Sequence, residues 1–233
     1  MIDCFIIWDR QVFSYFNGFN GFFMCVLILI KKGSIIQDRH LMNCIKYNDD
    51  GAGVGYYTKN GAVVRKIKKT NNQATFDFLQ GCLDEAYGNA TSDIMVHCRI
   101  ATGSNCNKEN SQPFKVNDKL LVGHNGIFNC VPSFQRISDT RLFCLLLKHH
   151  FLTKQEIKEI IGNYNKVIFL TPDKSVIVNE EQGEWVNGVW FSNSSYMDYM
   201  DNSNFKVKAN DYFLIDGVDY CNYSYDYWNK GLY

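Results

Sequence analysis

The chain has 233 residues, zero formal net charge, and 46% hydrophobic and 15% aromatic residues. That suffices for one large domain or two small ones with a sizeable core, and the balanced charge argues against a nucleic-acid or anionic-membrane partner. The nine cysteines form no CxxC pair and no regular spacing, which fits reduced thiols in a cytosol better than a disulfide framework. His149, His150 and Cys144 lack tetrahedral-site spacing, so no metal is expected, and nothing in the chain implies a cofactor.

From Gln11 to Ile30 there is no charged residue, about the length that spans a bilayer. Gln11, Ser14, Asn17, Gly18, Asn20 and Gly21 interrupt that run and are costly in hydrocarbon. A signal peptide does not fit either, because Asp3 and Asp9 offset Arg10 and no small-residue cleavage site follows an apolar core. Residues 1–23 are read as an upstream extension with the true start at Met24, or as a leader removed to release Cys25. The first reading is preferred.

Met24 and Cys25 precede Val26-Leu27-Ile28-Leu29-Ile30, a short apolar run ended by Lys31-Lys32-Gly33 and read as a buried strand. If Met24 is removed, Cys25 carries a thiol and a free α-amine on one carbon, with reference pKa values of about 8.5 and about 7.7–8.0. Nucleophile and base then share one residue. The plain alternative is a buried structural cysteine.

Ser34 to Tyr47 is read as an amphipathic helix through Ile36, Leu41, Cys44 and Ile45, and Asn48-Asp49-Asp50-Gly51-Ala52-Gly53 as a turn cluster. Residues 53–57 and 62–67 are read as strands around Lys59-Asn60-Gly61. The glycines at 51, 53 and 55 precede a strand rather than follow one, which argues against a dinucleotide loop. Thr75 to Tyr87 has Phe76, Leu79, Leu83 and Ala86 at helical spacing. Asp93 to Ile100 alternates as a strand, with Met95, His97 and Arg99 on one face and Ile94, Val96 and Cys98 on the other.

Residues 103–118 are expected to be a polar loop. Lys119 to Val122 is expected to be a strand broken at Gly123-His124-Asn125-Gly126. Ser138-Asp139-Thr140 opens a helix, and Thr153 caps another through Ile161. Residues 166–171, 175–179, 183–186 and 189–192 read as short antiparallel strands, with turns at Pro172-Asp173 and Asn187-Gly188. After Ser195 the chain holds eight of its fourteen tyrosines, and no chemistry is assigned there.

Four pieces carry chemistry. Arg99, at the end of a strand, suits bidentate capture of a carboxylate; alone, it reads first as a surface arginine paired with an acidic neighbour. Asn125-Gly126 offers a side-chain amide and a close-approach backbone N–H, the two donors of an oxyanion hole; alone, it is a type I′ turn. Asp139 can bind an ammonium, or merely cap a helix. Asn48-Asp49-Asp50-Gly51 is by itself only a turn.

Taken in order, Met-Cys before an apolar strand, NDDGAGVGY, HCRIATG, Gln112-Pro113-Phe114, LVGHNGIF and SDT resemble the class II glutamine amidotransferase domain of the N-terminal nucleophile (Ntn) hydrolases, particularly short stand-alone forms seen in phages and viruses. The resemblance spans roughly Met24 to Ser195. It implies an α+β fold, a four-layer α/β/β/α sandwich of two mainly antiparallel sheets, with residues 1–23 an extension and 196–233 a Tyr/Asp/Asn-rich segment.

It also implies a glutamine-hydrolysing site. Cys25 is then the nucleophile with its own α-amine as base, and Asn125 and Gly126 are the oxyanion donors. Arg99, helped by Thr102, holds the substrate α-carboxylate, and Asp139 holds the α-amine. The partner is glutamine or a related small amide. About 209 residues follow Met24 and leave no room for the second domain that consumes ammonia in larger family members, so either a separate protein takes the ammonia or the chain hydrolyses an amide for its own sake. A cytoplasmic location follows, in a host cell if the source is viral. Gly103 and Gln112 stand where the family commonly has histidines, which bears on pocket shape and specificity. The alternatives are hydrolysis of another γ-glutamyl amide, or an inactive fold used as a binding module.

Overall fold

Five consecutive apolar residues, Val26 to Ile30, have no exposed surface. They form β1 (Val26–Ile30), a strand covered on both faces. Among the described residues, two sheets and four α-helices are built around it. The computed structural model describes residues 25–128, 131, 134–149 and 152–197. The readings of residues 1–23 and of the Tyr-rich stretch beyond 197 lie outside the described residues.

In chain order β1 is followed by α1 (Asp38–Lys46), β2 (Gly51–Thr58), β3 (Gly61–Lys68), α2 (Asn72–Asn89) and β4 (Ile94–Cys98). Then come β5 (Phe114–Asn117), β6 (Leu120–Asn125), α3 (Asp139–His149), α4 (Lys154–Ile161), β7 (Lys166–Leu170), β8 (Ser175–Val178), β9 (Glu184–Val186) and β10 (Val189–Phe191). One sheet has the order β3-β2-β4-β1-β10-β9 and the other β5-β6-β7-β8. Their neighbouring strands pair antiparallel.

Strand alternation sorts the core into layers. Val26, Ile28 and Ile30 of β1 face α1 and α2, packing with Leu41, Ile45, Leu79 and Leu83. Leu27 and Leu29 face the other sheet, packing with Met95, Leu121, Ile168, Leu170 and Trp190. Beyond the second sheet, Phe143, Cys144 and Ile161 of α3 and α4 cover Phe114, Val122 and Val167. The result is an α/β/β/α sandwich. Tyr196 is buried and stacks on Phe191 with ring centroids 4.2 Å apart. No helix among the described residues is long and apolar enough to cross a membrane.

Several local expectations need correction. The stretch 103–118 is not all loop. Phe114 and Val116 are buried while Lys115 and Asn117 are exposed, so four alternating residues suffice for β5 against β6. Nor does β6 break at Gly123. Gly123, His124 and Asn125 pair with Ile168, Val167 and Lys166. Glycine is required at 123 by close approach rather than by a turn. A Cβ there would sit 2.5 Å from Met95 Sδ and 2.6 Å from Leu27 Cδ1, so the two sheets pack tightly against each other here. Gly51 to Gly53 also belong to a strand, β2, rather than to the preceding turn. Finally, not every thiol is reduced. Cys106 is disulfide-bonded, whereas Cys25, Cys44, Cys82, Cys98 and Cys144 are free.

Candidate active site

The site lies where the start of β1 meets the ends of β4 and β6. The register that pairs Val26 with Cys98 sets Cys25 beside the residues that leave β4. Cys25 Sγ lies 3.3 Å from both the N–H and the carbonyl oxygen of Ile100, accepting from the first and donating to the second. Burial pushes the Cys25 thiol up to about 11, although Ile100 N–H and the Arg99 guanidinium pull the other way. With Met24 still attached, the thiol is therefore protonated at neutral pH. The carbonyl of Cys25 accepts from Asn193 Nδ2 at 3.0 Å, which fixes the backbone of this residue.

Cys25, Arg99, Thr102, Gly126 and Asp139 line one cleft, together with Ser104, Gln112 and Thr140. Five of the six site residues expected from sequence thus share a pocket. Asn125 does not line it. Its side chain is fully buried, and its Nδ2 donates to Ser192 Oγ at 2.7 Å.

Arg99 organises the loop after β4. Its Nη1 donates to Asn105 O (3.0 Å) and its Nη2 to Ser104 O (3.0 Å) and Ser104 Oγ (2.8 Å). A planar fork makes these bonds at once where a lysine ammonium cannot. The Arg99 backbone is clasped from β2, with Arg99 N–H donating to Gly51 O at 2.8 Å and Asp50 N–H donating to Arg99 O at 2.9 Å. Asp50 also accepts from Ala101 N–H at 2.9 Å and pairs with Lys69 at 3.0 Å. This gives the acidic turn before β2 a role that its sequence did not reveal: it holds the exit of β4 in place.

Asp139 is the first residue of α3 rather than its cap. Ser138 Oγ accepts the cap bond from Arg141 N–H at 3.2 Å. Asp139 Oδ2 accepts from Phe128 N–H at 3.0 Å, and Oδ1 accepts from Thr140 N–H at 2.6 Å. The carboxylate thus sits at a helix N-terminus, where negative charge is favoured, and lines the same cleft as Cys25.

His124 anchors the floor. Asn165 Nδ2 donates to Ile161 O at 2.7 Å, so its Oδ1, 2.9 Å from His124 Nε2, must accept. Nε2 therefore carries the hydrogen, and in the neutral ring Nδ1 accepts from Thr140 Oγ1 at 2.9 Å. Burial holds His124 below the usual histidine range, and its ring stacks on Phe128 at 3.8 Å. Gln112 Oε1 accepts the His124 backbone N–H at 2.7 Å, so this glutamine braces β6 as well as lining the cleft. Gly103 has φ +151°, a conformation that a histidine would adopt only under strain.

Gly126 has φ +143°. A Cβ there would collide with Asn165 Oδ1 and lie 3.0 Å from His124 Nε2. Glycine is the residue that lets this backbone reach the pocket wall.

A family model for "Glutamine amidotransferases class-II" matches residues 37–165, more than half of the chain. The chain belongs to the class II glutamine amidotransferases. Cys25 precedes the matched stretch, whereas Arg99, Thr102, Asn125, Gly126 and Asp139 lie within it. Among solved structures, the allosteric regulatory enzyme of purine biosynthesis is 18% identical with a TM-score of 0.50. The alignment covers 72% of this chain and 41% of that one. Glutamine phosphoribosylpyrophosphate amidotransferase from B. subtilis, complexed with ADP and GMP, is 20% identical over 72% of this chain and 41% of that one, with a TM-score of 0.48. The chain therefore spans about two fifths of the length of these structures. Its architecture is the Ntn-hydrolase fold. A comparison with curated proteins returns no match.

Two residues of this site escaped sequence reasoning. Ser192 and Asn193, just after β10, reach the start of β1 and the end of β6 from more than sixty residues away. Both sit in the unremarkable run Phe191-Ser192-Asn193-Ser194, which offers no motif to find them by.

Proposed function

We propose that this class II amidotransferase domain hydrolyses the side-chain amide of glutamine to glutamate and ammonia, with Cys25 acting as an N-terminal nucleophile once the residues before it are gone. The observation that supports the reading is the meeting of Cys25 with Arg99, Thr102, Gly126 and Asp139 around one cleft. Arg99 and Asp139 offer opposite charges for the α-carboxylate and α-ammonium of an amino acid, and Cys25 and Gly126 line the same cleft.

In this reading the freed α-amine takes the thiol proton, and the sulfur attacks the carboxamide carbon. Asn125 and the Gly126 N–H donate to the oxygen that becomes negative, an interaction stronger in the transition state than in the ground state. The C–N bond breaks, and the α-ammonium returns its proton to the departing nitrogen, which leaves as ammonia. Water, deprotonated by the same amine, adds to the γ-glutamyl thioester. The C–S bond then breaks, the thiol regains a proton, and glutamate departs. While Met24 is attached, the nitrogen is an amide and has no basic lone pair. Residues 24–195 would constitute the working domain, and the ammonia would pass to a separate acceptor protein or to solvent.

The test is the chain expressed from Met24, with Cys25 confirmed as the first residue by intact mass. Ammonia release from glutamine, abolished by Cys25→Ser, is the expected result. A chain that begins with Cys25 and releases none would refute the reading.

A further inference from the structure

Ser192 is fully buried and joins three parts of the site. Its backbone N–H donates to Leu27 O at 2.9 Å. Its Oγ accepts from Leu27 N–H at 2.9 Å and lies 2.7 Å from Asn125 Nδ2. One side chain thus ties the nucleophile's strand to the residue expected to supply an oxyanion donor, across the gap between the two sheets.

The donor and acceptor count around it does not close as the side chains stand. Ser192 Oγ has one hydrogen and two lone pairs. Leu27 N–H and Asn125 Nδ2–H occupy both lone pairs, so the hydroxyl hydrogen has no acceptor within this group. Asn125 Oδ1 is buried and has no partner. Leaving a buried acceptor and a buried donor both unmade is the expensive arrangement. A half-turn of the Asn125 carboxamide about its terminal bond exchanges two ends of nearly equal shape and removes both defects. The hydroxyl then donates to Oδ1 and still accepts from Leu27 N–H, and the whole NH2 group is left without a protein partner.

We propose that Ser192 is a positioning residue that holds Asn125 in this second orientation. Its hydroxyl donates to the carboxamide oxygen, so that both amide hydrogens stay free of protein partners just behind Gly126, the next residue, which lines the cleft where the oxyanion of the reaction would form. Unpartnered donors are costly at rest, yet they are what an oxyanion hole needs, because their acceptor forms only in the transition state. The inference rests on the proposed glutamine hydrolysis for its catalytic meaning. Its geometry stands apart from it.

Two measurements decide it. Neutron diffraction from the deuterated full chain reveals which end of the Asn125 carboxamide carries deuterium. The expected result is the oxygen facing Ser192 Oγ, and an ND2 group facing Ser192 would overturn the proposal. In the chain beginning with Cys25, Ser192→Ala should lower kcat for glutamine hydrolysis by about 10²-fold, the size expected for a misplaced catalytic group, with little change in KM. In an Asn125→Ala background the same substitution should lower kcat no further. Equal kcat losses in both backgrounds, as from general destabilisation, would also overturn it. If the wild-type Cys25 chain releases no ammonia, the proposed function fails, and the neutron result still decides the orientation of Asn125.

Discussion

Replacing Gly126 by alanine perturbs the site at its tightest point. Two costs add. The φ of +143° is one that non-glycine residues hold at about 1–3 kcal/mol. The new Cβ also overlaps Asn165 Oδ1 and crowds His124 Nε2, so the hydrogen bond between those atoms must open. Stranding those buried groups costs about another 1–3 kcal/mol. Gly33 supplies the control: its φ is +86° and a Cβ there meets nothing within 4 Å, so only the backbone cost applies. Urea unfolding of both variants should place Gly126→Ala about 1–3 kcal/mol below Gly33→Ala, at similar m-values. Alanine keeps the backbone N–H but the clash must displace it, so glutamine hydrolysis should fall toward the roughly 10²–10³-fold loss seen when an oxyanion donor is lost for Gly126→Ala, and stay near wild type for Gly33→Ala. Equal destabilisation of the two variants would refute the claim that Asn165 and His124 make glycine obligatory at 126.

Three further outcomes follow from the same geometry. Arg99→Lys breaks a three-bond fork onto Ser104 and Asn105; it should raise KM for glutamine at least tenfold and cost about 2–5 kcal/mol in urea unfolding, since bonds to charged groups contribute about 1.5–3 kcal/mol each. In the chain that retains residues before Cys25, the thiol near 11 should alkylate about 10²-fold more slowly at pH 7.5 than a free cysteine with pKa about 8.5, its rate still climbing above pH 10; a plateau near pH 8.5 would contradict this. Burial and the neighbouring Arg99 lower His97 to about 3, and burial also lowers His124. Between about pH 6.5 and 3 the unfolded chain binds protons that the folded chain does not, so stability is present above about 6.5 and lost as pH falls. A tenfold change in proton affinity is worth about 1.4 kcal/mol, so His97 alone accounts for up to roughly 4–5 kcal/mol of that loss. His97→Gln should flatten the acid limb of the unfolding free energy.

Much of this architecture is legible in the sequence because its signals are local. The apolar run after Cys25, the helical spacing of Leu79, Leu83 and Ala86, the alternation of β4 and the capping box at Thr153 and Glu156 each depend on neighbours a few residues away. β5 leaves little trace in the sequence because four residues flanked by Pro113 and an Asn-Asp turn hold too little alternation to register. Asn125-Gly126 carries the sequence signature of a tight turn, yet pairing with β7 keeps Asn125 in a strand; tertiary contact overrides local propensity there. The site was readable only as an ordered set of motifs, and Ser192 and Asn193 were beyond reach. What they do depends on strand register across two sheets, which no spacing along the chain encodes.

The most direct measurement is where a glutamine-like diazoketone attaches. Peptide mass mapping should find the adduct on Cys25 in the chain that begins there, with free glutamine protecting it, and none on Cys25 in the chain that keeps the preceding residues. An adduct on another cysteine, or equal labelling of Cys25 in both chains, would contradict a nucleophile that works through its own α-amine.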